Sequence, residues 1–168
     1  MMNGSGRAGE MVIVGIGDER RRDDAVGLMI ARELMGRALP DGVRVEIAGE
    51  EGFDLLAAID GTSRAIILAA MRLGDEPGTV HALPPADAEA RADYISAPGD
   101  VALIDVLELA AMRGGPDVLI VGIEPAEIMP GQTLSRQVQA SVGAAAELVR
   151  DLATGDREWR FFARGDYG

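Results

Sequence analysis

The chain contains no cysteine, no lysine and a single histidine, His81, among its 168 residues. The missing cysteine excludes disulfides, thiolate nucleophiles, zinc ribbons and iron-sulfur clusters. All 16 basic residues are arginines, so Schiff-base chemistry and a phosphate-loop lysine are excluded too. Any mechanism that needs imidazole rests on His81. Positive charge is scarce, and the formal net charge of -12 leaves no basic face for neutralising nucleic-acid phosphates. Aromatic residues are few, and four of the six, Trp159, Phe161, Phe162 and Tyr167, lie beyond Gly155. No Gly-x-Ser-x-Gly elbow is present. The Met1 to Glu10 stretch is Gly-rich and polar without an apolar run, and so reads as neither a signal peptide nor a membrane span. A cytoplasmic protein with no membrane partner is expected.

What is present alternates in the manner of an α/β protein. Met11 to Ile16 is a short apolar run broken by Gly15 and Gly17, the pattern of a strand buried on both faces. From Asp24 onward Val26, Met29, Ile30 and Leu34 recur at helical spacing, and Pro40-Asp41-Gly42 ends that element. Val43, Val45 and Ile47 predict a second strand, joined to the first by a right-handed parallel crossover. Phe53 to Ile59 predicts a short helix and Ala65 to Ala69 a third strand. Thr79 to Leu83, after the Pro77-Gly78 turn, predicts a fourth strand, antiparallel at the edge and carrying His81. Pro84 to Tyr94 reads as a polar, Ala-rich loop. Asp100 is placed as the N-cap of a helix with Val101, Ile104, Leu107 and Ala111 on one face. Val118 to Ile123 predicts a fifth strand, and Ser135 the N-cap of a long last helix closed by Gly155. The expectation is a single-domain three-layer α/β sandwich, with a mostly parallel sheet of about five strands and helices on both faces. Residues 11–155 form the domain, between a flexible tail over 1–10 and an aromatic-rich tail over 156–168. The rings of the second tail are expected to pack back onto the last helix or the sheet edge, the alternative being a partner-docking segment.

In an open α/β sheet, sites form outside the carboxyl ends of the parallel strands, where the loop after the first strand lies. This loop, Gly15 to Gly27, ends in the paired carboxylates Asp23 and Asp24 at a helix start. Capping is the ordinary reading of such acids, and it is the expectation for Asp23. A dinucleotide fingerprint is disfavoured, because Arg20 stands where the third glycine belongs. Arg20 to Arg22 read as a solvated charge run rather than a phosphate site.

The pattern Gly15-x-Gly17 followed by Asp23-Asp24-x-x-Gly27 resembles the nickel-iron hydrogenase maturation endopeptidases. The resemblance continues through Gly52-Phe-Asp-Leu-Leu56, Pro77-Gly-Thr-Val-His81, Asp105-Val-Leu107, Val121-Gly-Ile-Glu-Pro125 and Leu134-Ser135, and covers about residues 11 to 153. It implies removal of a C-terminal peptide from the hydrogenase large subunit once nickel is inserted. It also implies three metal-holding side chains: an acid after the first strand, an aspartate ending a central strand and a histidine before a helix.

Only the first of these positions keeps a donor, Asp24. The second falls on Ala70, and the third on Gly99, or on Pro98 if the loop is shifted by one residue. None of these three can bind a metal. Glu50 and Asp100 are the candidate substitutes, against the plainer roles of solvated loop acid and helix cap. His81, mid-strand within the Gly-Thr-Val-His pattern, is expected to take a packing or surface role rather than to ligate. No tightly bound cofactor is expected, and nickel or other divalent-metal binding should be weak or absent. Catalytic residues cannot be named on this basis. Two readings follow: a maturation endopeptidase with an incomplete metal site, or a non-catalytic relative acting as a binding or assembly factor. In either case the implied partner is the immature hydrogenase large subunit or another maturation factor.

Overall fold

The structure is a computed structural model that describes residues 10–49, 51–155 and 159. In chain order the elements are β1 (Met11–Gly15), a 3-10 turn (Arg22–Ala25), α1 (Val26–Met35), β2 (Val43–Ile47), α2 (Gly52–Ile59) and β3 (Arg64–Arg72). These are followed by β4 (Val80–Leu83), α3 (Pro85–Arg91), β5 (Tyr94–Ile95), α4 (Leu103–Met112), β6 (Asp117–Ile123) and α5 (Arg136–Thr154). The main sheet runs β2-β1-β3-β6-β4. β1 pairs in parallel with β2 and β3, and β3 in parallel with β6. β4 closes one edge antiparallel to β6, as its β-branched run after a Pro-Gly turn suggested. The two-residue β5 adds antiparallel to the end of β3, making a sixth strand.

Strand side chains alternate between the two faces of a sheet, so each central strand feeds two cores. Met11, Ile13, Ile66, Leu68, Ala70, Leu119 and Val121 join Val26, Ile30 and Leu34 of α1 and Val138, Ala145 and Val149 of α5 in one core. Val12, Val14, Ala65, Ile67, Ala69, Met71 and Ile120 join Leu55 and Ile59 of α2, Ala88 of α3 and Leu103, Val106 and Leu107 of α4 in the other. Two buried faces explain why β1, β3 and β6 read as unbroken apolar runs. They also account for the three layers.

The structure differs from the sequence expectation in two places. Pro84 to Tyr94 is not a loop: Pro85 occupies the first turn of α3, where its missing N–H costs nothing, and Tyr94 begins β5. Asp100 does not cap α4. The chain turns at Gly99, whose φ of 78° suits glycine, and the helix starts only at Leu103 behind Ala102. The later start rotates the buried face onto Leu103, Val106, Leu107 and Ala110, leaving Val101 exposed. Of the aromatic tail, Trp159 packs on the α1/α5 core with the Arg64 guanidinium 5.4 Å from its ring centroid, as the back-packing reading expects. Phe161, Phe162 and Tyr167 lie outside the described residues.

Candidate functional site

The loop between β1 and α1 sits at the carboxyl end of the parallel strands, and glycines set its path. A Cβ at Gly17, where φ is 135°, would overlap the Asp24 carbonyl oxygen. One at Gly27 would strike the Leu68 carbonyl and lie 2.7 Å from that of Ile16. The first turn of the helical segment is thereby pressed against β1 and β3, and both aspartates are carried inward: Asp23 is 0 % exposed and Asp24 4 %.

Neither carboxylate caps a helix. Asp23 accepts hydrogen bonds from the backbone N–H groups of Ala126 (2.8 Å), Glu127 (2.8 Å) and Ser135 (2.7 Å) and from the Ser135 hydroxyl (2.8 Å). Ser135 does occupy the N-cap position of α5, but its hydroxyl serves Asp23 rather than the helix. Arg22, at the non-glycine φ of 49°, strengthens the same seam through an ion pair with Glu127 and a hydrogen bond to the Thr133 carbonyl. Arg20 pairs with Asp18. Arg20 and Arg22 are therefore engaged in ion pairs and loop contacts rather than in a phosphate cradle.

Asp24 is the centre of a second network. Its Oδ1 accepts from the Tyr94 hydroxyl at 2.6 Å and from the Ser96 hydroxyl at 2.8 Å, and its Oδ2 accepts from the Asp18 N–H at 2.8 Å. Ser96 Oγ in turn accepts the Ala70 N–H at 2.9 Å. Tyr94 and Ser96, two apart on the chain segment that forms β5 and leaves it, present their hydroxyls to one carboxylate. Burial first, and then the bond to Asp24, push the Tyr94 phenol well above its ordinary value, so it stays a proton donor. The Arg72 guanidinium lies 5.5 Å from the centroid of its ring.

The remaining anticipated residues fall as follows. Ala70 is fully buried in β3, and its methyl joins the α1/α5 core. Pro98 is buried and Gly99 exposed in the turn before α4. Asp100 is exposed there and is not among the groups that hydrogen-bond Asp24. Glu50 lies outside the described residues. Among the described residues around Asp24, therefore, one carboxylate is wrapped by three donors, two of them hydroxyls that donate to Oδ1. That donor set does not fit a metal centre, which needs several lone pairs converging on one point.

Sequence reasoning missed Tyr94 and Ser96 as partners of Asp24. It also passed over a cluster just beyond the carboxyl end of β6, where Glu124 is 2 % exposed. Glu124 accepts the Leu73 N–H at 2.9 Å and the Gly74 N–H at 3.3 Å, and lies 3.0 Å from His81 Nε2. Burial alone would raise its carboxyl. The donors of Leu73, His81, Asp75 and Gly74 outweigh that and hold it below the usual range.

Comparison with known proteins agrees with this architecture. Residues 28–152 match the family described as hydrogenase maturation protease. A hydrogenase expression/formation protein, HupM, from Azotobacter chroococcum is 30% identical over 149 residues, covering 84% of this chain and 70% of that protein. The hydrogenase maturating endopeptidase HybD from E. coli superposes with a TM-score of 0.73 at 28% identity, over 83% of this chain and 89% of that one. The [NiFe] hydrogenase maturation protease HybD from Thermococcus kodakarensis gives 0.70 at 28% identity, over 86% and 99%. With residues 28–152 matched to the family and a 30% identical relative spanning 84% of the chain, the chain belongs to the hydrogenase maturation protease family.

Proposed function

We propose that this chain serves hydrogenase maturation as a binding or assembly factor, and that it does not sense nickel through a three-ligand centre at Asp24. Its partner is the immature nickel-iron hydrogenase large subunit or another maturation factor. The observation that carries this reading is the closure of Asp24 by Tyr94, Ser96 and the Asp18 N–H. A carboxylate that polarises or recognises a metal must keep an open face. Here that face is taken by hydroxyls, and the neighbouring β3 position offers only the Ala70 methyl. The competing reading, competent endopeptidase, is supported by likeness to proteins named as endopeptidases. Fold likeness alone carries no chemistry.

The test is incubation with a nickel-loaded large-subunit precursor, followed by intact mass measurement and size-exclusion chromatography of the mixture. The expected result is a complex in which the precursor keeps its full mass. Loss of a C-terminal peptide with the unaltered chain would overturn the proposal in favour of the protease. Absence of both complex and cleavage would overturn the binding role. A second version carries Ala70→Asp, Pro98→His, Tyr94→Phe and Ser96→Ala, which restores donors and removes the two hydroxyls. Histidine is placed at 98 because Pro98 is the buried residue of that turn, whereas Gly99 has a left-handed backbone that disfavours a side chain.

A further inference from the structure

The only histidine in the chain, His81, lies on β4, with its side chain 9% exposed. Its Nε2 lies 3.0 Å from Glu124 Oε1 and 3.7 Å from Asp75 Oδ2. One potential ligand atom from each of Asp75, His81 and Glu124 can be chosen so that all lie within 4.8 Å of one another. We propose that Asp75, His81 and Glu124 form a binding site for one divalent transition-metal ion of the zinc or nickel class, separate from Asp24. The proposal does not depend on whether the chain cleaves or merely binds a partner.

The spacing suits such an ion. Bonds of about 2.0–2.2 Å at tetrahedral angles place neighbouring ligand atoms about 3.3–3.6 Å apart. The two observed separations from Nε2, 3.0 and 3.7 Å, bracket that range. Only small side-chain adjustments separate the present arrangement from a coordinated one.

The support is already in place on the protein side. Glu124 Oε1 and Oε2 are held by the N–H groups of Leu73 and Gly74. The backbone of Glu124 is tied on both sides to the β3–β4 turn, by Gly78 N–H to its carbonyl and by its own N–H to the Thr79 carbonyl. Fixed carboxylates of this kind orient a ligand without taking all its lone pairs. Asp75 supplies the opposite quality: its side chain is 57% exposed, so it can close over an ion arriving from solvent. Imidazole with two carboxylates favours zinc, nickel or cobalt over magnesium and calcium, which prefer all-oxygen shells. Water would complete the coordination.

A single histidine makes the test direct. The full chain, produced without a polyhistidine tag, is titrated with zinc chloride while the imidazole resonances are followed by NMR, and binding is measured by calorimetry. The expected result is saturable movement of the His81 resonances at one equivalent of zinc, with no response to magnesium. Loss of one ligand should weaken binding at least about tenfold, in both Asp75→Asn and His81→Asn. Asp75→Asn alters an exposed side chain, so it remains informative if His81→Asn unfolds, and a thermal melt of each variant shows which has happened. Unchanged imidazole resonances at millimolar zinc would overturn the proposal. So would calorimetric binding that survives in folded Asp75→Asn at full affinity, because the ion would then sit elsewhere.

Discussion

Replacing Asp24 by asparagine is the sharpest single perturbation of the site, because it keeps the shape and removes only the charge and one acceptor. The carboxylate takes three donors, two at Oδ1 and one at Oδ2. If the asparagine oxygen takes the Oδ1 position, its NH2 faces the Asp18 N–H, donor against donor, at a spacing of 2.8 Å. If the amide is flipped, the NH2 faces the Tyr94 and Ser96 hydroxyls, and Ser96 Oγ is already accepting from Ala70 N–H. Either orientation loses at least one hydrogen bond to a charged group, worth about 1.5–3 kcal/mol, and weakens those that remain. The residue is 4 % exposed, so water repairs little of the loss. The expected cost is about 2–4 kcal/mol in urea unfolding at neutral pH. At about 2–4 °C per kcal/mol for a chain of this size, the melting midpoint should fall by roughly 4–16 °C. A residue kept for binding or chemistry behaves in the opposite way, since its removal often leaves stability unchanged or raises it. An Asp24→Asn protein that melts at or above the parent temperature would refute the claim that this carboxylate is a structural acceptor.

Two further outcomes follow from the same geometry. Gly27→Ala forces a methyl into the Leu68 and Ile16 carbonyls, backbone atoms that cannot swing aside; it should cost about 3 kcal/mol or more, the upper end for overpacking, and a stability loss under 1 kcal/mol by urea titration would contradict the packing. Tyr94 has its folded pKa raised above the ordinary 10.0 by burial and by Asp24, so its contribution to stability is fully present below pH 10 and is lost as pH rises through the folded value. Alkaline denaturation curves of the parent and of Tyr94→Phe should therefore converge as pH climbs above 10, and a gap that stays constant would count against the shift.

Much of the fold was legible because β1, β3 and β6 are buried on both faces and could be recognised from unbroken apolar runs. The edge strand β4 was legible from its turn and its β-branched residues. The Pro84 to Tyr94 segment was not, since a seven-residue Ala-rich helix shows too few turns for periodicity to separate it from a loop. Asp100 misled because a good capping residue sits three positions before the first helical residue, and the intervening turn depends on backbone angles. At the site, Asp24 could be singled out from its motif, but its partners could not. Tyr94 and Ser96 lie 70 and 72 residues away, and the one local clue was two hydroxyl residues spaced to face the same way. His81 could be placed on its strand, but not its neighbours: Glu124 follows β6, and Asp75 lies in the β3–β4 turn.

The seam at Asp23 bears on the order in which the protein can be assembled. Its donors lie 103 to 112 residues further along the chain, so during synthesis the Asp23 carboxylate has none of its final partners until Ala126 has left the ribosome, and lacks the full set until Ser135 has. Until then a charge destined for full burial is uncompensated or only partly compensated, which opposes early closure of the first loop. The N-terminal half can form its β1–α1–β2 unit, but the loop that carries Asp23 should lock only when the Ser135 end of α5 docks. A nascent chain stalled before that helix would present the loop open, and limited proteolysis within residues 18–24 would stop abruptly once the helix is complete.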